Sequence, residues 1–381
     1  MLQIEKIFEK VEPRNHSING YINNKIRIKD NNFSIKSIYK MVEHFKWMRK
    51  NMNICETKII IDSDFIADQA ILTLMESIIF FVINEWKFKV TYRFSIKENV
   101  IGYQIFKKSI LFKYNNKKIV IEEYNREYNK KITINGDHFR KICENIEENR
   151  KGEFISVTMD EVDIFLKCFE LDNEYRNELA EVIAEIVDNA LKHSNGDCIL
   201  NLNVLKNDYH KYKYLDVTAV VVDDIFIGKE IVEYIRKEDK SEYSEKNKIV
   251  LEAYENHKNF FGDNYNINSF AMISAFQKYV TTRKMSKNTG GTGLTTLINA
   301  LIEKSTHNFC YAISGNTNLI FKNEFLTLNE NGLIGFNETN NYIEMAPNEK
   351  VVSINKYDMN VNIYNLQFIL KETNYEKSIE K

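Results

Sequence analysis

The sequence predicts an α/β protein: an α/β sandwich with helices packed on one face of a mixed sheet, preceded by a small α/β domain. Three observations predict it. "TKIIID" at 57–62, a helically spaced stretch at 65–85 and "FKVTYRF" at 88–94 give a short strand, helix, strand unit. A long helix over 172–194 is followed by two strands, 197–205 and 213–222, whose link is too short for the crossover a parallel pair needs. A glycine cluster then leads into a helix at 294–304 and a strand at 308–315.

In chain order, "MLQIEKIFEKVEPRN" is charged from its fifth residue, which is not the pattern of a signal peptide. Residues 36–50 have the spacing of an amphipathic helix. The apolar run "ILTLMESIIFFVI" (71–83) is interrupted by Glu76 and is too short to span a bilayer. Residues 95–150 alternate polar and apolar pieces and read as a connecting region with a hairpin and a helix. Together, 1–150 make a small scaffold or interaction domain. Residues 151–325 make a second domain, and 326–381 form a C-terminal extension or a divergent end of its sheet. With only two prolines in 381 residues, no Pro-rich linker marks the boundaries.

Composition narrows the function. A net charge of −2 gives no support for nucleic acid held by bulk charge, and nothing in the sequence points to a membrane. The five cysteines form no CxxC pair, so neither a zinc site nor a disulfide framework is indicated and a reduced, cytoplasmic protein is expected.

Three motifs carry chemistry. On the helix 172–194, Leu179, Val182, Ile183, Ile186, Val187, Ala190 and Leu191 share the apolar face. Glu185 and Asn189 lie one turn apart on another face, which Lys192 and His193 extend. Taken alone, such a face also reads as ordinary solvated surface. "VVVDDIFIG" ends a strand in Asp223 and Asp224, either of which can form a turn or accept a hydrogen bond from an exocyclic amine. "KNTGGTGLTTL" (287–297) gathers Gly290, Gly291 and Gly293 ahead of a helix, in a chain with only 13 glycines. Glycines there let backbone N–H groups at a helix N-terminus approach a phosphate closely. No GK[ST] follows, so this is not a P-loop.

In this order, "EIVDNALKHS", "VVVDDIFIG" and "GGTGLTTL", with "TTR" at 281–283, resemble the GHKL superfamily of Bergerat-fold, histidine kinase-like ATPases, over roughly 160–322. The resemblance implies a Bergerat fold, with ATP and Mg²⁺ as cofactors. Asn189 would coordinate the metal, and Glu185 would position or deprotonate the attacking water as the catalytic residue. Lys192 would neutralise phosphate charge, and Asp223 or Asp224 would read adenine, with Asp224 preferred because its register keeps Gly228. Gly290, Gly291, Thr292, Gly293, Leu294 and Thr295 would wrap the phosphates. Phe226 stands where the family's DxGxG motif has its first glycine, which crowds the adenine side. Residues 229–289 would form a long lid, with Arg283 or Lys287 near the γ-phosphate.

Residues 57–79 are also faintly similar to STAS-like domains. His44 is a candidate phospho-acceptor, although no proline follows it as in histidine kinases. The function so implied is a Mg-dependent ATP-binding protein, an ATPase working as a nucleotide-driven switch. A serine/threonine kinase of the anti-sigma-factor class and a non-catalytic nucleotide sensor are the alternatives. A protein partner would be met through the N-terminal domain or the lid, with a homodimer among the assemblies allowed.

Overall fold

The structure is a computed structural model that describes the chain except residues 1–2, 14–24, 31, 52–54, 64, 67, 96–100, 193–194, 207–212, 239–247, 278–292, 306–309 and 371–381. The N-terminal unit opens with α1 (Glu5–Lys10), β1 (Lys25–Lys29), β2 (Asn32–Phe33) and α2 (Ile35–Lys50), followed by β3 (Glu56–Asp62), β4 (Phe65–Ile66), α3 (Gln69–Asn84) and β5 (Lys89–Ser95). Strands β1, β3 and β5 form a parallel sheet with β3 in the centre, and α3 makes the β3-to-β5 crossover expected from the sequence. Ser34 opens α2 with a capping box. Helix α3 is buried almost all round, as a helix apolar on every face must be. Its one carboxylate, Glu76, accepts from Ser109 Oγ at 2.6 Å and from the Ile110 N–H at 2.9 Å. Among the described residues, no helix is long and apolar enough to cross a membrane.

The connecting region contains α4 (Ile101–Lys108), α5 (Ile121–Tyr128) and the hairpin β6 (Ile132–Asn135) and β7 (His138–Cys143). Then come α6 (Glu148–Leu166), α7 (Asn173–Lys192), β8 (Cys198–Lys206), β9 (Lys213–Val222), α8 (Lys229–Arg236), α9 (Lys248–His257), α10 (Ile267–Ala275) and α11 (Gly293–Lys304). The last strands are β10 (Tyr311–Ser314), β11 (Thr317–Ile320), β12 (Val352–Ile354) and β13 (Val361–Leu370). Eight of these strands form one sheet in the order β12-β11-β10-β13-β9-β8-β7-β6.

This sheet differs from the expectation in three ways. Among the described residues, all seven of its strand pairings are antiparallel, where the sequence predicts a mixed sheet, and parallel pairing is confined to the N-terminal unit. It also extends across residue 150, because β7 pairs with β8 from His138↔Asn203 to Cys143↔Cys198. And β13, from the C-terminal stretch, lies between β9 and β10 in the middle of the sheet.

The period-two alternation of the strands explains why helices cover both faces and not one. Leu200, Leu202, Val204, Leu215, Val217, Ala219, Leu366 and Phe368 pack in one core with α6, α7, α10 and α11. Alternate residues face the N-terminal unit: Ile199, Leu205, Val220, Val222, Val361 and Ile363 pack in its core. Between those apolar ends the same strands carry buried Asn201, Asn203, Asp216, Thr218 and Asn365. Asn201 Nδ2 donates to Thr73 Oγ1 of α3 at 3.0 Å, and Asn203 Nδ2 to Gln69 Oε1 at 3.3 Å. A polar seam therefore joins the N-terminal unit to the sheet, each such bond sparing a buried group its desolvation penalty.

His44 lies in this unit's interior, 3% exposed, with Nε2 3.0 Å from Thr57 Oγ1, which is the environment of a core histidine and not of an accessible phospho-acceptor. In the stretch 229–289, α10 is packed into the main core through Phe270, Ala271, Met272 and Ile273.

Candidate functional site

Helix α7 buries Leu179, Val182, Ile183, Ile186, Val187, Ala190 and Leu191, as its periodicity requires. Glu185 and Asn189 are half-buried at the margin of that face, with Asn189 Nδ2 3.5 Å from Glu185 Oε2. The contact uses the donor end of the amide. The Asn189 Oδ1 oxygen is the end with which an amide ligates a hard cation.

Helix α11 packs along α7. At its C-terminus, Lys304 Nζ pairs with Glu178 Oε2 at 2.7 Å and sits 5.5 Å from the Tyr175 ring centroid. Glu178 and Tyr175 belong to the first turns of α7, so the two helices run antiparallel. The same number of residues separates Gly293 from Lys304 as separates Asn189 from Glu178, at an equal rise per residue. The N-terminus of α11, with its positive dipole end, is therefore level with Asn189. Gly290, Gly291 and Thr292 lie outside the described residues, as do His193, Arg283 and Lys287. Lys192, Gly293, Leu294 and Thr295 are placed by their backbone, Lys192 as the last residue of α7 and the other three in the first turn of α11.

The third motif reaches the same corner. Asp223 follows the last residue of β9 and its side chain is fully buried. Its Oδ1 accepts from Lys6 Nζ at 2.9 Å and from the N–H groups of Asp224 (2.7 Å) and Ile225 (3.4 Å), while Oδ2 accepts from the Asn195 N–H. Asn195 follows the end of α7, so Asp223 ties the α7 and β9 ends together. Asp224 differs. Its side chain is 58% exposed and pairs with Lys6 Nζ at 2.5 Å. Hydrogen bonding with Asp223 and with Lys6 holds its carboxyl well below the usual carboxylate range.

Gly228 has a local explanation. It takes φ +90° at the start of α8, and a Cβ there would meet the Ala271 carbonyl oxygen of α10 at 2.5 Å. The glycine serves a helix-to-helix approach. Phe226, half-buried, packs against the main core. The turn between Asp223 and Gly228 is pinned from β10 and β13: the Ile227 N–H donates to Ser314 Oγ at 2.7 Å, Ser314 Oγ to Asn362 Oδ1 at 2.6 Å, and Asn362 Nδ2 to the Ile225 carbonyl at 2.6 Å.

A cleft of about 110 Å³ opens at this turn, bounded by Asp223, Asp224, Phe226, Asn268, Asn316 and Lys10. That is less than the roughly 300–1,000 Å³ of an ordinary small-molecule site. A second cleft, about 280 Å³, lies beside Ile302, Asn323 and Leu328 and is lined by none of the motif residues. Sequence reasoning missed Lys6, Asn195, Ser314 and Asn362. Each reaches the site across a long chain separation, which no local pattern records.

No family model, curated protein or solved structure matches the chain. The likeness to GHKL proteins rests on the residues themselves.

Proposed function

We propose that this protein binds Mg·ATP in the manner of GHKL ATPases and acts as a nucleotide-driven conformational switch. Two arrangements support the reading: Asp223, at the end of β9, bonds the Asn195 N–H after α7, and α11 packs antiparallel along α7 with equal spans from Gly293 to Lys304 and from Asn189 to Glu178. The donor set fits a magnesium ion held mainly by phosphates, since a half-buried amide with an adjacent carboxylate is the kind of sparse protein ligation this ion takes. Asn189 would hold the metal, whose chemistry is to neutralise phosphate charge. The α11 N-terminus would receive the phosphates, and Asp224, with acceptor capacity facing solvent, would take the base amine. Glu185, one turn from Asn189, would orient and deprotonate the attacking water.

The non-catalytic sensor reading draws support from the second motif. Asp223 is engaged on both oxygens, and Gly228 is closed off by Ala271. Transfer of the γ-phosphate to a partner's Ser or Thr needs the same pocket. Incubating the full chain with γ-labelled ATP, alone and with lysate, separates the three as free phosphate, labelled protein, or neither. Asn189→Ala is the control: binding of Mg·ATP unchanged in that variant removes Asn189 from the site and with it this reading.

A further inference from the structure

Helix α1 has two different sides. Ile4, Ile7, Phe8 and Val11 are buried in the N-terminal core, where the Phe8 ring lies 4.5 Å from Trp86 and 5.5 Å from Phe81. Gln3, Lys6 and Lys10, at helical spacing, occupy the other side and reach three loops at the end of the large sheet. Gln3 Nε2 donates to the Asn195 carbonyl at 3.1 Å, after α7. Lys6 Nζ bonds Asp223 and Asp224 after β9, while its carbonyl accepts from Asn360 Nδ2 at 2.9 Å. Lys10 Nζ bonds Asp358 Oδ1 at 3.0 Å, ahead of β13.

Lys10 also bounds the cleft at Asp224, and Lys6 occupies the carboxylate through which that cleft would bind a base. The Lys6–Asp224 and Lys10–Asp358 pairs are substantially exposed on at least one partner, and such pairs are individually weak and readily exchanged, whereas the pair of Lys6 with the fully buried Asp223 is the stronger tie.

We propose that α1 is a latch on the nucleotide cleft: an entering base takes the Asp224 oxygen held by Lys6, Lys6 keeps Asp223, and the changed hold on α1 passes the occupancy of the pocket to the N-terminal unit through Phe8 and Trp86. This rests on the nucleotide reading above and adds a route by which the N-terminal unit responds to it. A ligand shifts such an equilibrium only through its preference for the unlatched state, so removing the latch must tighten binding.

Trp86 reports on α1 directly through Phe8, and the chain has only two tryptophans, so Trp47→Phe leaves it as the sole tryptophan. In the full chain with that background, Lys6→Gln is expected to tighten Mg·ATP binding about fivefold by calorimetry, the factor matching loss of the Lys6–Asp224 pair at the upper end of the exposed range, with the glutamine amide still donating to Asp223. Lys6→Arg should restore the original affinity. Mg·ATP should change Trp86 emission in the latched protein and change it less in Lys6→Gln. Equal affinity in the two proteins, or weaker binding in Lys6→Gln, overturns the latch and leaves the nucleotide reading standing. Binding by neither protein at millimolar Mg·ATP overturns both, with circular dichroism confirming that each is folded.

Discussion

Asp216 offers the sharpest test of the packing between the two units. It lies on β9 facing the N-terminal unit, 2% exposed, and its Oδ2 has no hydrogen-bond partner among the described residues. Burial, reinforced by the nearby Asp68 carboxylate and opposed by Asn203 and Lys108, raises its carboxyl from 3.8 to about 7. An acid whose folded pKa is raised favours the protonated native state. Stability is therefore greatest below pH ~3.8, falls as pH rises, and levels off above pH ~7. At 1.36 kcal/mol per pH unit the full loss is of order 4 kcal/mol, with about 2 kcal/mol of it between pH 5 and pH 7. Asp216→Asn keeps the shape and the neutral form at all pH values. Urea unfolding followed by fluorescence at pH 5 and pH 8 should give a stability difference between variant and wild type that grows by up to about 3 kcal/mol in favour of the variant. A difference that does not change with pH, or an Asn variant less stable at pH 8, would refute an ionised Asp216 in a dry seam.

Glu185→Gln should retain Mg·ATP binding while lowering turnover by about 10²–10⁴, the usual cost of a positioned base; unchanged turnover sinks the assignment. Gly228→Ala should destabilise the chain by about 1–3 kcal/mol or more in denaturant melts, from the positive φ and the Ala271 carbonyl at 2.5 Å. Cys55 and Cys168 are exposed whereas Cys143, Cys198 and Cys310 are buried, with burial pushing the Cys143 and Cys310 thiols up to about 12. A thiol reagent should then react quickly with two groups in the native protein and with three more after denaturation. A fragment beginning at residue 151 should aggregate, since it loses β6 and β7 and uncovers Ile199, Val220, Val222 and Ile363; a soluble monomer with native circular dichroism would contradict the two-faced sheet.

Much of the local structure was legible because it is set by local periodicity. The apolar stripe of α7 gave its buried face, and the short link between β8 and β9 required their antiparallel pairing. Contacts between distant segments left no such trace. "DCILNLNVL" looks like a strand with one wet face, yet Asn201 and Asn203 are buried because α3, far upstream, supplies their partners. Cys143 and Cys198 look unrelated in sequence and stand opposite each other across β7 and β8. Nothing local in residues 361–370 tells that they form the strand between β9 and β10.

The aspartate pair makes the same division within the candidate site. In sequence, Asp223 and Asp224 are equivalent chemical options at the end of an apolar strand, and only the position of Gly228 favours Asp224. The fold separates them. Asp223 accepts three backbone N–H groups and a lysine, so its charge is spent on closing the turn and joining the ends of α7 and β9. Replacing it leaves those donors buried without a partner, a structural loss that would abolish binding without identifying a ligand contact. Asp224 is bonded to Asp223 and Lys6 but is 58% exposed, so its replacement frees Lys6 from one of its two carboxylates and leaves no buried backbone donor without a partner. The informative comparison is therefore Asp224→Asn against Asp223→Asn. The first should fold normally by thermal melt and lose nucleotide affinity; the second should lose both together. A folded Asp224→Asn protein that binds Mg·ATP as tightly as wild type would mean that the base is read elsewhere.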